Sequence, residues 1–137
     1  MTKTITIQAS INAPVEKVWK FYTEPEHITQ WNNASDDWHT PSAKNDLKTG
    51  GKFVFRMEAK DGSKGFDFEG KYDEVKNHKL ISYSMSDGRK VKITFNQEGP
   101  KTKVITTFDP ENENPIEIQR DGWQSILNNF KNYVESS

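Results

Sequence analysis

Apolar and polar residues alternate at the start of the chain, where Ile5, Ile7, Ala9 and Ile11 are separated by polar residues. Because successive side chains of a strand point to opposite faces, this spacing predicts a first strand with one face on the core. The alternation extends back toward Met1 and differs from the continuous apolar block of a signal peptide. We therefore expect the chain to begin with a strand.

Two short helices are predicted directly after this strand. Pro14 ends the alternation and suits a first helical position, and apolar residues then recur at spacings of three and four from Val15 to Tyr22. Pro25 lies between two glutamates and repeats this start signal for a helix ending at Trp31. Residues 32–48 are polar and interrupted by Pro41, so we expect an irregular crossing with one strand around Trp38.

Period-two alternation then returns and predicts an antiparallel meander whose strands share one apolar face. The alternating residues are Phe53, Phe55, Met57; Phe66, Phe68, Tyr72; Ile81, Tyr83, Met85; Val91, Ile93, Phe95; and Val104, Thr106, Phe108. Turn signals separate these runs at Asp61-Gly62, residues 77–79, Asp87-Gly88 and Gly99-Pro100. Together with the first strand, they predict a curved sheet of six or seven strands.

A long helix is predicted at the end of the chain. Asn114, Pro115 and Glu117 fit an N-cap, a first helical position and a capping box. A helix running to about Glu135 would span roughly 30 Å, enough to cross a small domain. One face carries Gln119, Gly122, Trp123, Ile126, Phe130 and Val134, with Leu127 and Tyr133 beside it. The sequence therefore predicts an α+β fold in which the sheet wraps this helix.

A sheet curved around one helix leaves an interior that two short helices close at one end, which predicts a ligand cavity. The predicted lining residues are Phe53, Phe55, Met57, Phe66, Phe68, Tyr83, Met85, Phe95 and Phe108 on the sheet, and Gln119, Gly122, Trp123 and Ile126 on the helix. The alternative is that these side chains fill the interior themselves. Gly122 marks either a place that needs room or close packing of helix on sheet. Gln119 and Thr106 would supply polar groups, either to a ligand or to each other.

Length, composition and charge exclude several classes of protein. A chain of 137 residues fits a single domain over residues 1–137, and its aromatic residues (Phe 8, Trp 4, Tyr 4) predict an aromatic interior. A net charge of -1 gives no positive field for nucleic acid, and the absence of cysteine excludes disulfides and thiolate chemistry. No apolar run reaches the length of a membrane span. We expect a cytoplasmic monomer that does not insert into membranes.

The histidines and carboxylates of the sequence form no recognisable catalytic or metal-binding motif. His27, His39 and His78 lack the paired spacing of a metal site, and we expect three separate surface histidines. Glu58, Asp67 and Glu69 fall near Arg56 on neighbouring strands, but alternation places them on the solvent face, where ion pairs are common. We predict no catalytic residue, no metal ligand and no cofactor.

Several short segments are recognisable in order along the chain: residues 11–19, Pro25-Glu26 with Trp31, residues 47–53, residues 70–75, and Gly122-Trp123 with Leu127. Together they resemble the AHSA1-like branch (activator of Hsp90 ATPase homologue 1-like) of the START/SRPBCC, Bet v 1-like, helix-grip superfamily. The resemblance implies a helix-grip fold with a deep hydrophobic cavity, and architectural roles for Pro14, Trp19, Gly51 and Gly70. Many relatives have a second tryptophan after the position of Trp31, whereas this chain has Asn32.

The leading hypothesis is non-catalytic binding of a small hydrophobic ligand, lipid-like, aromatic or polyketide-like, in this cavity. The first alternative, implied by the resemblance, is a module that binds an Hsp90-type chaperone and modulates its ATPase. Eukaryotic co-chaperones of this family carry an additional N-terminal domain, for which this chain has no room. The second alternative is a cyclase-, aromatase- or hydrolase-like cavity enzyme, because such relatives use few catalytic side chains.

Overall fold

In the computed structural model, which describes residues 4–33 and 35–137, seven strands form one antiparallel sheet beside a long helix. The chain starts with β1 (Ile5–Ile11) and the short helices α1 (Val15–Thr23) and α2 (Pro25–Trp31). The strands β2 (Trp38–Asn45), β3 (Lys52–Ala59), β4 (Gly65–Lys76), β5 (Leu80–Met85), β6 (Lys90–Glu98) and β7 (Lys101–Phe108) follow, and α3 (Ile116–Glu135) ends the fold. The predicted fold class is confirmed.

The strand order is β1-β7-β6-β5-β4-β3-β2, so the meander from β2 to β7 is completed by the first strand of the chain. Ile5 pairs with Phe108 and Ile11 with Thr102, which keeps the apolar face of β1 continuous with that of β7. The strands β1, β5, β6 and β7 follow the alternation of their sequences, because a half-buried sheet fixes which face is apolar. The two edges of the sheet are β1 and β2.

Strand β2 departs from the predicted irregular crossing, because Pro41 lies inside the strand instead of breaking it. Proline has no N–H to donate, so a strand tolerates it at an edge or at a bulge. Both conditions hold here, since β2 pairs only with β3 and the register shifts between His39 and Ser42. The prediction underestimated the length of this strand.

The start of α3 also differs from the predicted capping box. Pro115 occupies the N-cap position and the helix has no side-chain cap. The Asn114 backbone and side-chain amides instead donate to the Glu111 carboxylate, which holds the preceding loop together. The N-cap assignment to Asn114 was wrong, because Pro115 occupies that position and the Asn114 amide donates to the loop carboxylate of Glu111.

The solid part of the core lies at the end of the molecule closed by α1 and α2. Trp31 and Phe130 lie 4.8 Å apart between ring centroids, and Tyr22 contacts both. Phe130 and Val134 of α3 are fully buried here, and each such burial contributes roughly 2 kcal/mol. The other half of α3 lies over the open end of the sheet. None of the helices in the described part of the chain combines the length and the apolarity that a membrane span requires.

Candidate functional site

A cavity of about 220 Å³ lies between the sheet and the middle of α3, partly open to solvent. Its walls are mainly aromatic and aliphatic. The predicted lining residues that the structure brings to it are Phe53, Phe55, Met57, Phe66, Phe68, Tyr83, Trp123 and Ile126. Thr106, predicted as an interior polar group, also lines it. The interior of the protein is therefore not filled by its own side chains.

Strands β3 and β4 supply the broadest aromatic wall. Their register places Phe55 opposite Phe68 and Met57 opposite Phe66, all on the inner face. Phe53 faces Gly70, where a Cβ would come within 2.8 Å of the Phe53 ring. The absence of a side chain at Gly70 thus lets the Phe53 ring approach the backbone of β4, which supports the architectural role predicted for this glycine.

The wall of the cavity reaches the surface at the β3–β4 hairpin. Phe66 lines the cavity and is 46% exposed, with its ring 6.1 Å from that of Trp38 on β2. On the side of α3, the Trp123 indole stands edge-on to Phe68 at 6.2 Å. Trp123 also stacks on Phe108 at 3.9 Å with an interplanar angle of 11°, which fixes its orientation. An apolar molecule entering the cavity would meet aromatic rings on both sides.

Two predicted sheet aromatics are covered by other rings and do not reach the cavity. Phe95 lies under α1, where Trp19 contacts it at 5.0 Å and Tyr22 at 5.4 Å between ring centroids. Phe108 is covered by Trp123. Both residues lie on the apolar face as predicted, but helices pack over that part of the sheet. Their inclusion among the lining residues is corrected.

The remaining predicted residues, Met85, Gln119 and Gly122, also lie away from the cavity wall. Met85 is buried and borders a separate pocket formed by residues of β3, β4 and β5. The Gln119 side chain forms hydrogen bonds with the loop before α3. Its Oε1 accepts from the Glu111 N–H, and its Nε2 donates to the Asn114 carbonyl oxygen at 2.7 Å. Gly122 does not line the cavity, and a Cβ on it would meet nothing within 4 Å, so close packing of helix on sheet does not explain this glycine.

Part of the wall was missed by the sequence reasoning. These additional apolar lining residues are Ile7, Trp31, Ile81, Ile93 and Leu127, and the additional polar or phenolic ones are Tyr22, Thr23, Asn32, Asn45 and Tyr72. The strand alternation already placed Ile7, Tyr72, Ile81 and Ile93 on the inner face. Asn32 and Asn45 gave no such signal, because they lie in the segment predicted to be irregular.

Three of these polar side chains, those of Thr23, Asn45 and Tyr72, form hydrogen bonds within the protein. The Asn45 amide donates to the Thr23 carbonyl oxygen at 2.7 Å, and its Oδ1 accepts a hydrogen bond from the Tyr72 hydroxyl. The Thr23 hydroxyl donates to the carbonyl oxygen of Trp19 at 2.8 Å. This hydrogen-bond network joins α1 to β2 and β4, so these side chains stabilise the fold without a ligand.

Asn32 is different. Its side chain lines the cavity and is 8% exposed, yet its Nδ2 is buried without a hydrogen-bond partner among the described residues. The backbone of Asn32 is held on both sides, since its N–H donates to the Ile28 carbonyl oxygen and its carbonyl oxygen accepts from the Thr40 hydroxyl at 2.6 Å. The position of the residue is thus fixed independently of its amide.

The described lining carries no charged side chain at neutral pH. Burial raises the pKa of Tyr22, Tyr72 and Tyr83 above the ordinary value of 10.0, and the proximity of Tyr22 raises those of Tyr72 and Tyr83 further. No hydrogen bond contributes to the pKa shift of Tyr22 or Tyr83. These phenols stay neutral, so the cavity suits an uncharged molecule, because an unpaired ion would lose its hydration without compensation.

The histidines and carboxylates lie outside the cavity. Arg56 contacts Glu58 at 2.9 Å and Asp67 at 3.4 Å on the outer face of β3 and β4, as alternation predicts. His27 is less exposed than expected: its ring stacks on Phe21 at 4.0 Å and its Nδ1 bonds to the Tyr133 hydroxyl at 2.7 Å. The aromatic neighbours of α1 and α3 cause this burial.

Among the described residues, one group of potential metal ligands comes together. The ligand atoms of Glu24, Glu26 and His27 lie within 4.8 Å of one another at the start of α2. Glu26 is exposed, and His27 already bonds to Tyr133 through one ring nitrogen. Nothing else at this group points to a metal ion.

Known proteins resemble this chain in both sequence and fold. The sequence model of the family described as "Activator of Hsp90 ATPase homolog 1-like protein" matches residues 12–135. No curated protein matches the chain. An AHSA1-like protein from Aeromonas hydrophila is 45% identical, with a TM-score of 0.92 over 98% of this chain and 93% of that chain. A protein from Cytophaga hutchinsonii is 53% identical, with a TM-score of 0.85 over 97% and 92%.

More distant structures share the fold alone. A protein from Nitrosomonas europaea has a TM-score of 0.84 at 18% identity, covering 97% of this chain and 94% of that chain. At this identity the likeness concerns architecture and says nothing of a shared ligand.

Proposed function

The chain belongs to the activator of Hsp90 ATPase homolog 1-like family, and from that premise we propose that it is a binding protein whose cavity takes up a small, uncharged, largely apolar molecule. The observation that supports this function is the unfilled space between the aromatic wall of β3 and β4 and the side chains of α3. Walls around a void lose dispersion contacts that an apolar ligand restores.

The volume of the cavity limits the size of the ligand. An apolar cavity of about 150 Å³ takes up benzene, so 220 Å³ corresponds to a molecule of roughly nine non-hydrogen atoms by the same proportion. A substituted benzene is of this size. A sterol or a multi-ring polyketide would require α3 and the β3–β4 hairpin to separate further. We therefore favour a small aromatic compound among the hydrophobic ligands considered.

The test is an NMR titration of the purified protein with uncharged aromatic compounds of this size, preceded by native mass spectrometry for a co-purified molecule. We expect chemical shift changes to concentrate at cavity residues such as the Trp123 indole N–H. If every compound leaves these resonances unchanged, the binding function is rejected.

A matched pair of variants on α3 makes the test specific. Ile126→Phe places a larger side chain at the cavity wall, whereas Ile118→Phe makes the same change at a position that is 61% exposed and outside the cavity. We expect Ile126→Phe to weaken binding at least about tenfold, because the added ring occupies the ligand volume. Ile118→Phe should bind like the wild type. Equal affinity of both variants would contradict binding in this cavity.

Chaperone binding is the second candidate, because the family takes its description from activators of the Hsp90 ATPase. The exposed Phe66 beside Trp38 offers an apolar surface for such contact. The test measures the turnover of an Hsp90-type ATPase with and without this protein, and co-elution of the two. Unchanged turnover together with separate elution would remove this candidate, and Phe66→Ser should abolish any stimulation that depends on this surface.

A further inference from the structure

The inference concerns the amide of Asn32 and rests on the proposed binding function. Buried polar groups in folded proteins nearly always have a hydrogen-bond partner, and each exception requires an explanation. Asn32 is such an exception, since its Nδ2 is buried in the wall of the cavity with no partner among the described residues. An unpaired donor in this position destabilises the empty protein.

A structural role does not account for the amide. Thr23, Asn45 and Tyr72 of the same wall bond to one another or to the backbone, and together they join three elements of the fold. The backbone of Asn32 is anchored by Ile28 and by a neighbouring hydroxyl, so the turn after α2 does not depend on the side chain. An apolar residue of the same size would fill this position without leaving a donor unpaired.

The geometry of the wall allows the amide to serve a ligand. The terminal torsion of asparagine is soft, so a small rotation directs the NH2 group into the cavity without moving the backbone. Tyr22 and Tyr83 line the same space, and their hydroxyls contribute neutral polar groups. The described wall offers no cation to balance an anionic ligand. The ligand atom that meets Asn32 must then be an acceptor without a full charge.

We propose that the ligand is a small aromatic or alicyclic carbonyl compound whose oxygen accepts a hydrogen bond from Nδ2 of Asn32. The apolar body of the molecule lies against Phe53, Phe68 and Ile126, and the carbonyl group points to the end of the cavity below α2. The hydrogen bond that is missing in the empty protein is completed on binding. Selection between ligands of equal size and shape then depends on the carbonyl oxygen.

Acetophenone and α-methylstyrene test this directly, because they have the same shape and differ in a C=O against a C=CH2 group. We expect acetophenone to bind the wild type about tenfold more tightly, the difference that one satisfied buried donor provides. The Asn32 side-chain NH2 resonances should shift with acetophenone and stay unchanged with α-methylstyrene. Benzoate, which is of similar size but negatively charged, should bind more weakly than either.

The Asn32→Leu variant removes the donor and keeps the branched shape of the side chain. We expect it to lose the preference for acetophenone while its affinity for α-methylstyrene stays unchanged, and to melt at or above the wild-type temperature. Asn128→Leu makes the same change at an exposed position of α3 and should keep the tenfold preference. Asn32→Ala provides a second donor-free variant if leucine disturbs folding.

The outcomes separate this inference from the proposed function. Equal binding of the two neutral probes, or a preference that persists in both donor-free variants, overturns the role of Asn32 while the binding function stands. Tightest binding of benzoate overturns the uncharged carbonyl. Binding of none of the probes, together with failure of the wider titration, rejects the cavity as a binding site altogether.

Discussion

Replacing Gly122 with alanine should stabilise the protein, although the glycine lies in the middle of α3. Its φ is not in the left-handed region, and a Cβ at this position would meet nothing within 4 Å. The substitution therefore introduces no clash and removes the backbone freedom that glycine has in the unfolded chain. Alanine is favoured over glycine in a helix interior by about 1 kcal/mol. For a chain of this length, this raises the melting temperature by about 3 °C.

Gly62→Ala is the matched control for this prediction. A Cβ on Gly62 also meets nothing within 4 Å, but the residue has a φ of +78° in the β3–β4 turn. The left-handed conformation costs an alanine about 1 to 2 kcal/mol, so the melting temperature should fall by about 3 to 7 °C. Both variants are compared with the wild type by calorimetry and by urea unfolding at 25 °C. A destabilised Gly122→Ala would refute the reasoning and show that this glycine is required for packing.

Three further predictions concern the core and the turns. Thr102→Val removes the buried hydrogen bond to the Ala13 carbonyl oxygen at 2.8 Å and should cost about 1 to 2 kcal/mol in urea unfolding; an unchanged midpoint would contradict this. Gly51→Ala places a Cβ 2.0 Å from the Asp46 carbonyl oxygen and should cost about 3 kcal/mol, because the backbone must move; a normal melting temperature would count against it. Burial raises the pKa of the Tyr83 phenol well above 10.0 in the folded protein. The neutral phenol therefore stabilises the fold fully below pH 10, and above pH 10 the free energy of unfolding falls by about 1.4 kcal/mol per pH unit. Tyr83→Phe should make the fall of the unfolding free energy above pH 10 less steep by this amount, and an unchanged steepness would show that Tyr83 ionises in the folded protein.

The sequence determined most of the secondary structure, apart from β2 and the start of α3, and the direction of most side chains. Alternation with a period of two depends only on residues close together in the chain. It therefore predicted the inner faces of β1 and of β3 to β7 without reference to the strands with which they pair. The turn signals at Asp61-Gly62 and Asp87-Gly88 work in the same way, because a positive φ is a local requirement that glycine meets. The face of α3 followed from its period of 3.6 residues.

Only the tertiary structure decided which inward side chains border open space. Phe95 and Phe55 have the same pattern in sequence, but α1 covers the first and leaves the second at the cavity, since the helices pack over one end of the sheet. The same holds for Asn32, whose unpaired amide emerges only when α2, β2 and the sheet come together. Periodicity gives the face of each element, whereas curvature and helix placement give the cavity, and these depend on contacts between residues far apart in the chain.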